Sequence, residues 1–254
     1  MKTFKKVMSL AVVAAMALSV FGCAKNDASE TEAAESAQSQ VDAEYLSYAE
    51  YEAAAIDTQV TVLCTVMATQ SWWEDKITVY AADQDGAYFI YEMACSEEDA
   101  ANLTAGTTIL VTGYKSEWEG EIEITDATFE FADVDGVAIA AVDLTADFAD
   151  DDALLAHQNQ YFSMSGLTVE AIGDNGEAFF YKWDNSGTQG DDLYFTVSDG
   201  TVTRTFTVEA YLTGADTDVY QAVEGLNVGD TIDVSGYMYW YEGPNPHITS
   251  VSVG

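Results

Sequence analysis

Residues 106–120, GTTILVTGYKSEWEG, return at residues 229–243 as GDTIDVSGYMYWYEG. Gly106, Thr108, Ile109, Val111, Gly113 and Tyr114 recur without a gap as Gly229, Thr231, Ile232, Val234, Gly236 and Tyr237. An aromatic residue, Glu and Gly then close both runs (Trp118-Glu119-Gly120 and Tyr241-Glu242-Gly243). One unit has therefore been copied and has diverged. Each copy alternates with the period of a strand: Ile109, Val111 and Gly113 fall on one side, Thr112, Tyr114, Ser116 and Trp118 on the other. Glu119-Gly120 and Glu242-Gly243 read as turns into a final strand.

Outward from the repeat, QVTVLCTVMA, KITVYAAD and AYFIYEMAC are runs rich in β-branched and aromatic residues and predict strands one to three of the first copy. Gln84, Asp85 and Gly86 form the turn between the second and third, and Ser47 with Glu50 makes a capping box for a short helix through Ala55. An acidic helix over Ser96 to Leu103 precedes the repeated strand, and EIEITDATFEF ends the set. The second copy has a helix over Asp147 to His157, then YFSMSGLTVEAI, AFFYKW with LYFTVSDG, and TVTRTFTVEAYL. A helix near Asp216 to Glu224, the repeated strand and HITSVSV complete it. The offset between the copies grows between strands one and two, which places an enlarged loop around Asn185 to Asp191.

Five strands with a helix between the third and fourth resemble the OB-fold barrel. That resemblance covers most of residues 57–131 and rests on strand order and the repeated run. It implies an all-β chain of two tandem five-stranded OB-fold-like β-barrels, each with a short helix before strand 1 and between strands 3 and 4. The expected boundaries are 44–132 for the first barrel and 147–254 for the second, with a linker over 133–146 that is either a short strand or a loop.

Before the barrels, Lys2, Lys5 and Lys6 are followed by an apolar run over residues 7–21. That run is too short to span a bilayer of about 30 Å and reads as an export signal. The ending Val20-Phe21-Gly22-Cys23 resembles the lipobox of bacterial lipoproteins, with Phe21 where a small residue is more usual. The family implies cleavage after residue 22 and a diacylglyceryl thioether on Cys23, hence a chain anchored to the outer face of a bacterial membrane. The other reading is an ordinary secretory signal. Residues 23–43 are Ala, Ser, Glu, Gln and Asp with scarcely an apolar anchor, the composition of a disordered tether. All 44 acidic residues follow Cys23, against Lys25, Lys76, Lys115, Lys182 and Arg204. Such a surface repels anionic headgroups and nucleic acid alike.

Catalysis requires a nucleophile beside a base, or a polarising metal, and no motif for either occurs, so the expectation is a protein that is not an enzyme. His157 and His247 lie in dissimilar settings and read as surface or edge-strand histidines. No cofactor is implied. Asp83-x-Asp85-Gly86 and Asp133-x-Asp135-Gly136 look like the opening of a calcium loop, which leaves a structural calcium open, but both lack the distal Glu and a hairpin turn accounts for the first. Cys64 and Cys95 read as inward-facing, the latter sharing a face with Phe89, Tyr91 and Met93; a thiol pair and a disulfide are both open.

The aromatic residues are more informative. OB barrels hold oligonucleotides or oligosaccharides on strands two and three and on the loops joining strands one to two and four to five. Trp72 and Trp73 fall in the first such loop with Lys76 beside them, and Trp118 falls at the second with Tyr114 nearby. In copy two, Trp183 adjoins the enlarged loop, Tyr237, Tyr239 and Tyr241 share one side of strand four, and Trp240 lies opposite. These rings either stack on a ligand or plug the barrel ends. Lys76, Lys115 and Lys182, each next to an aromatic residue, read either as an anion-tolerant pocket or as partners for surplus carboxylates. The expected ligand is uncharged or cationic, a glycan first, through Trp72, Trp73, Lys76, Tyr114, Trp118, Trp183, Tyr237 and Tyr241. An envelope protein docked on the same rings is the alternative, with single-stranded nucleic acid as the binding inherited from the fold; eighteen acidic and two basic residues in each barrel oppose the last.

Overall fold

The computed structural model describes residues 44–254; the expected export signal, the expected lipidation site at Cys23 and the expected tether over 23–43 lie outside the described residues. The first barrel consists of α1 (Tyr48–Ala53), β1 (Gln59–Thr69), β2 (Lys76–Ala82), β3 (Ala87–Ala94), α2 (Glu97–Ala100), β4 (Thr108–Trp118) and β5 (Glu121–Phe131). Its strands close in the order β1-β2-β3-β5-β4, with β3 and β5 parallel and the other pairs antiparallel. Next come β6 (Val142–Asp143), a 3₁₀ turn (Thr145–Asp147) and α3 (Asp151–Leu155). The second barrel continues with β7 (Tyr161–Glu170), β8 (Phe179–Tyr181), β9 (Leu193–Ser198), β10 (Thr203–Val208), α4 (Ala210–Thr213), α5 (Asp218–Glu224), β11 (Thr231–Tyr237) and β12 (His247–Val253). It closes as β7-β9-β10-β12-β11, again with the third and fifth strands parallel. The chain is therefore all-β, with two closed five-stranded barrels of identical strand order.

Each barrel has its own apolar filling, built from alternate residues of its strands. Val60, Val62, Val66, Ile109, Val111 and Ile124 fill the first, and Phe162, Val169, Phe195, Phe206, Ile232 and Ile248 fill the second. Cys64 and Cys95 are free, buried thiols in the first core. The Ser47–Glu50 capping box opens α1 as the sequence predicts. The linker contributes a two-residue strand, β6, running parallel to β7.

Three expectations are corrected. The run TVTRTFTVEAYL does not continue as strand to Leu212. The strand ends at Val208, and the Asp192 carboxylate accepts the Ala210 N–H at 2.8 Å where α4 starts. Of AFFYKW only Phe179–Tyr181 is extended, and β8 pairs with β9 outside the barrel ring, within the enlarged first loop. In β3, Phe89 and Tyr91 do not share a face with Met93 and Cys95. Glu92 takes a positive φ of 45° and the pairing with β2 slips between Ile77 and Val79. The strand changes face there: Tyr88, Ile90, Met93 and Cys95 enter the core, while Phe89 and Tyr91 point outward.

The glycines of the repeat have a shared structural reason. At Gly113 and Gly236 the ladder to the last strand slips by a residue, and the backbones approach too closely for a side chain. A Cβ on Gly113 would lie 2.6 Å from Ile124 Cγ2 and 2.8 Å from the Thr125 carbonyl; on Gly236 it would lie 2.8 Å from Ile248 Cα. Lys115, two residues after the first of these, is buried instead of facing an anion. Its Nζ donates to the carbonyls of Tyr51, Glu52 and Ala54 at 3.0, 2.8 and 3.0 Å, closing the C-terminal end of α1, and sits 5.1 Å from the Tyr51 ring centre. Gly113→Ala and Gly236→Ala should each destabilise the fold by about 2 kcal/mol or more in urea unfolding, because the clash is with backbone on a strand that cannot retreat. A loss below about 0.5 kcal/mol at either position would show that the strands have room there.

Candidate functional site

The barrels meet along a seam made of aromatic rings and carboxylates. Tyr80 of β2 stacks on Tyr237 at the end of β11, with ring centres 4.5 Å apart and planes at 29°. Tyr80 Oη is 2.6 Å from Nδ1 of His247, the first residue of β12. Phe89 meets Tyr80 edge-on at 5.1 Å and Tyr239 edge-on at 5.2 Å, and Tyr239 stacks on the His247 ring at 4.3 Å. The two repeated turns also touch, the Glu242 N–H donating to the Glu119 carbonyl at 2.8 Å. Trp240, beside that contact, covers Gly120 so closely that a Cβ there would lie 2.8 Å from the indole, and the Trp240 backbone N–H donates to Glu121 Oε2 at 2.8 Å. Burial raises the Glu121 carboxyl well above the usual carboxylate range.

Along this seam opens a cleft of about 380 Å³, within the roughly 300–1,000 Å³ of small-molecule sites. The first barrel supplies Trp73 from the β1–β2 loop and Phe89 and Tyr91 from β3; the second supplies Tyr211 from α4, Tyr239 and His247. Trp73 and Tyr211 stand at the mouth, 66% and 63% exposed, and the Ser71 N–H donates to the Tyr211 carbonyl at 2.7 Å between them. The polar groups are Lys76, held by Glu92 at 2.6 Å, and Glu209 deeper in. Both Glu209 oxygens accept from Gln70 Nε2 at 2.8 Å, and Oε2 is 3.5 Å from both Tyr80 Oη and His247 Nδ1. Desolvation, with Asp192 adding repulsion, raises the Glu209 carboxyl to about 7. Desolvation lowers His247 to about 3, so its ring is neutral at physiological pH and gives Glu209 no countercharge.

The residues singled out in the sequence separate into three groups. Trp73 and Lys76 line the cleft. Trp72 packs on the first core with its indole N–H donating to the Cys95 carbonyl at 2.8 Å, and Tyr237 is only 5% exposed within the seam. Tyr237 therefore supports the junction of the barrels and offers no face to a ligand. Tyr114, Trp118, Trp183 and Tyr241 are exposed and outside the cleft. His247 is buried and hydrogen-bonded between the barrels, which overturns its reading as a surface or edge histidine. Sequence reasoning missed Glu209, Tyr211, Tyr91 and Phe89. Glu209 and Tyr211 fall where the β-rich run predicts a continuing strand, and simple alternation puts Phe89 and Tyr91 on the inward face of β3. Asp83 spends one oxygen on the N–H groups of Asp85 and Gly86, both at 2.8 Å, and the other on Tyr88 Oη at 2.7 Å, as a turn residue does. No group of three or more metal-binding side chains occurs among the described residues.

No protein-family model matches the chain, and no curated protein matches it. Among solved structures it is similar to the Ifi202 HINa domain in complex with 20bp dsDNA (12% identity, 78% of this chain and 98% of that one, TM-score 0.34). It is also similar to the tetrameric p202 HIN2 (11% identity, 78% and 95%, TM-score 0.31) and to a murine DNA-binding protein bound with dsDNA (12% identity, 76% and 94%, TM-score 0.34).

Glu209 and His247 give the seam opposed pH dependences. Between about 4.5 and 7 the folded chain keeps a Glu209 proton that the unfolded chain sheds, so this contribution is complete below 4.5 and is lost as pH rises through 7. His247 acts in the other direction: below 6.5 the unfolded chain takes up a proton that the folded chain refuses down to about 3, so its contribution is lost as pH falls. Glu209→Gln removes only the first. The stability of the natural chain relative to this variant should fall by up to about 3 kcal/mol between pH 4.5 and pH 7.5, read from paired urea titrations. A pH-independent gap would show that Glu209 titrates normally.

Proposed function

We propose that the chain is an exported, lipid-anchored, non-catalytic binding protein whose inter-barrel cleft holds its ligand by stacking, and that the ligand is a glycan. The observation that carries this reading is the convergence of Trp73, Tyr91, Tyr211 and Tyr239 from both barrels on one cleft, two of the rings largely exposed at its mouth. Sugar rings present apolar faces that match such walls, and the flanking Gln70, Ser71 and Glu209 supply the few polar contacts that orient a hydroxylated ligand. Cys23 would fix the chain to the outer face of the membrane, with residues 24–43 as the tether that lifts the barrels clear of it.

Single-stranded nucleic acid, another ligand of OB barrels, is disfavoured by the placement of the cations. Lys76 is bound to Glu92, Lys115 is buried against α1, and Arg204 donates to the Phe148 carbonyl and to Asp151, both at 2.6 Å. Lys182 alone among the described basic residues makes no such contact, and one lysine releases too few counterions to hold a phosphate backbone against this surface charge.

Calorimetric titration of the full chain with neutral oligosaccharides should give binding that Trp73→Ala and Tyr211→Ala each weaken by about 5- to 30-fold, equivalent to roughly 1–2 kcal/mol per lost ring. Trp183→Ala should leave it unchanged. Binding of single-stranded DNA at moderate salt, with none of the sugars, would reverse the order of ligands. Cys23→Ala should move the chain from the membrane fraction to the soluble fraction of its host; persistence in the membrane would sink the lipid anchor.

A further inference from the structure

The cleft has an acidic floor with no cation assigned to it. Glu209 is mostly shielded from water, with 17% of its side chain exposed, and its hydrogen-bond donors are neutral amide and hydroxyl groups. Every charged or titratable group that faces it is either anionic or uncharged at physiological pH. Asp192 lies on the α4 side, Tyr80 comes from β2, His247 from β12 and Tyr194 from β9; beyond Tyr239 are Glu121 and Glu123 of β5. The one lysine in the cleft, Lys76, is already held by Glu92. A carboxylate removed from water beside aromatic faces is an arrangement that an ammonium group satisfies twice, by charge pairing and through the ring quadrupoles. No neutral sugar hydroxyl matches both.

The geometry points to Glu209 and the surrounding rings as a subsite for an ammonium group, so that the ligand of the inter-barrel cleft carries a quaternary or primary amine. This rests on the cleft being the binding site and narrows its ligand class. Glu209 supplies the charge, Tyr91, Tyr211 and Tyr239 line the same cleft, and Gln70 fixes the carboxylate from the opposite barrel. At neutral pH a proton competes for the same carboxylate, since burial raises Glu209 to about 7. An arriving ammonium displaces that proton, so binding and proton release are linked.

The experiment is calorimetry on the full chain with choline and with 3,3-dimethylbutan-1-ol, which has the same shape without the charge. A chitosan tetramer is compared in parallel with a chitin tetramer, to learn whether the ammonium is carried on a sugar. Choline should bind about tenfold or more tightly than its neutral counterpart at pH 8. Its affinity should rise roughly tenfold from pH 6 to pH 8, because a group titrating near 7 passes from about one-tenth to about nine-tenths ionised over that range. Proton release, measured in two buffers of different ionisation enthalpy, should fade as the pH approaches 8. Glu209→Gln should abolish both the preference and the pH slope without lowering the melting temperature at pH 7; if that variant does not fold, the slope and the proton release of the natural chain decide. Chitin and dimethylbutanol binding as tightly as the charged probes, with no pH dependence, would overturn the ammonium subsite while leaving the cleft as a binding site. No binding by any of the four, with Trp73→Ala silent, would overturn both.

Discussion

At the centre of the seam between the two barrels, Tyr80 packs against Tyr237 and shares a hydrogen bond with His247. Neither barrel could leave these rings in water cheaply, and each ring closes the outer face of its own sheet against the other. An offset aromatic pair contributes about 0.5–1.5 kcal/mol beyond the area it buries. Its greater effect is geometric: it brings β2 and β3 of the first barrel to face the β11–β12 connection of the second. Phe89, Tyr91 and Tyr239 are thereby assembled into one wall, with Glu209 behind them. The cleft is a by-product of how the seam is filled.

The repeat was legible because its physical cause is local. Gly113 and Gly236 mark a slipped ladder and a backbone approach that admits no Cβ, so duplication left the same letters in both copies. Strand order followed from alternation and turn residues, and the capping box of α1 was readable from Ser47 and Glu50 alone. The site was less legible. Trp73 could be placed because it lies in a loop of known position, whereas Tyr237 read as a rim residue because alternation gives the outward face of a strand without saying what covers it. Burial of Tyr237 and His247 is a property of the pair of barrels, and no single strand carries that information.

Two failures share one physical origin, a positive φ or a side-chain cap that interrupts a period. Glu92 at φ 45° turns β3 over, so Phe89 and Tyr91 leave the face expected of them. Asp192 caps Ala210 and turns the end of a β-rich run into α4, which places Glu209 and Tyr211 at the cleft. Both events depend on contacts remote in sequence. Lys115 shows the same limit for charge: beside Tyr114 it looked available to an anion, yet three carbonyls at the end of α1 take all the donors of its ammonium.

The face change at Glu92 limits how this protein could acquire a different preference. Residues on either side of it serve opposite masters: Ile90 and Met93 keep the first barrel closed, while Phe89 and Tyr91 form the back of the cleft. A substitution in β3 that altered one side would disturb the other. Trp73 and Tyr211 belong to neither core. Diversification among descendants of this chain would therefore concentrate on the β1–β2 loop and on α4, leaving the β3 wall as the unchanging template against which new specificities are tried.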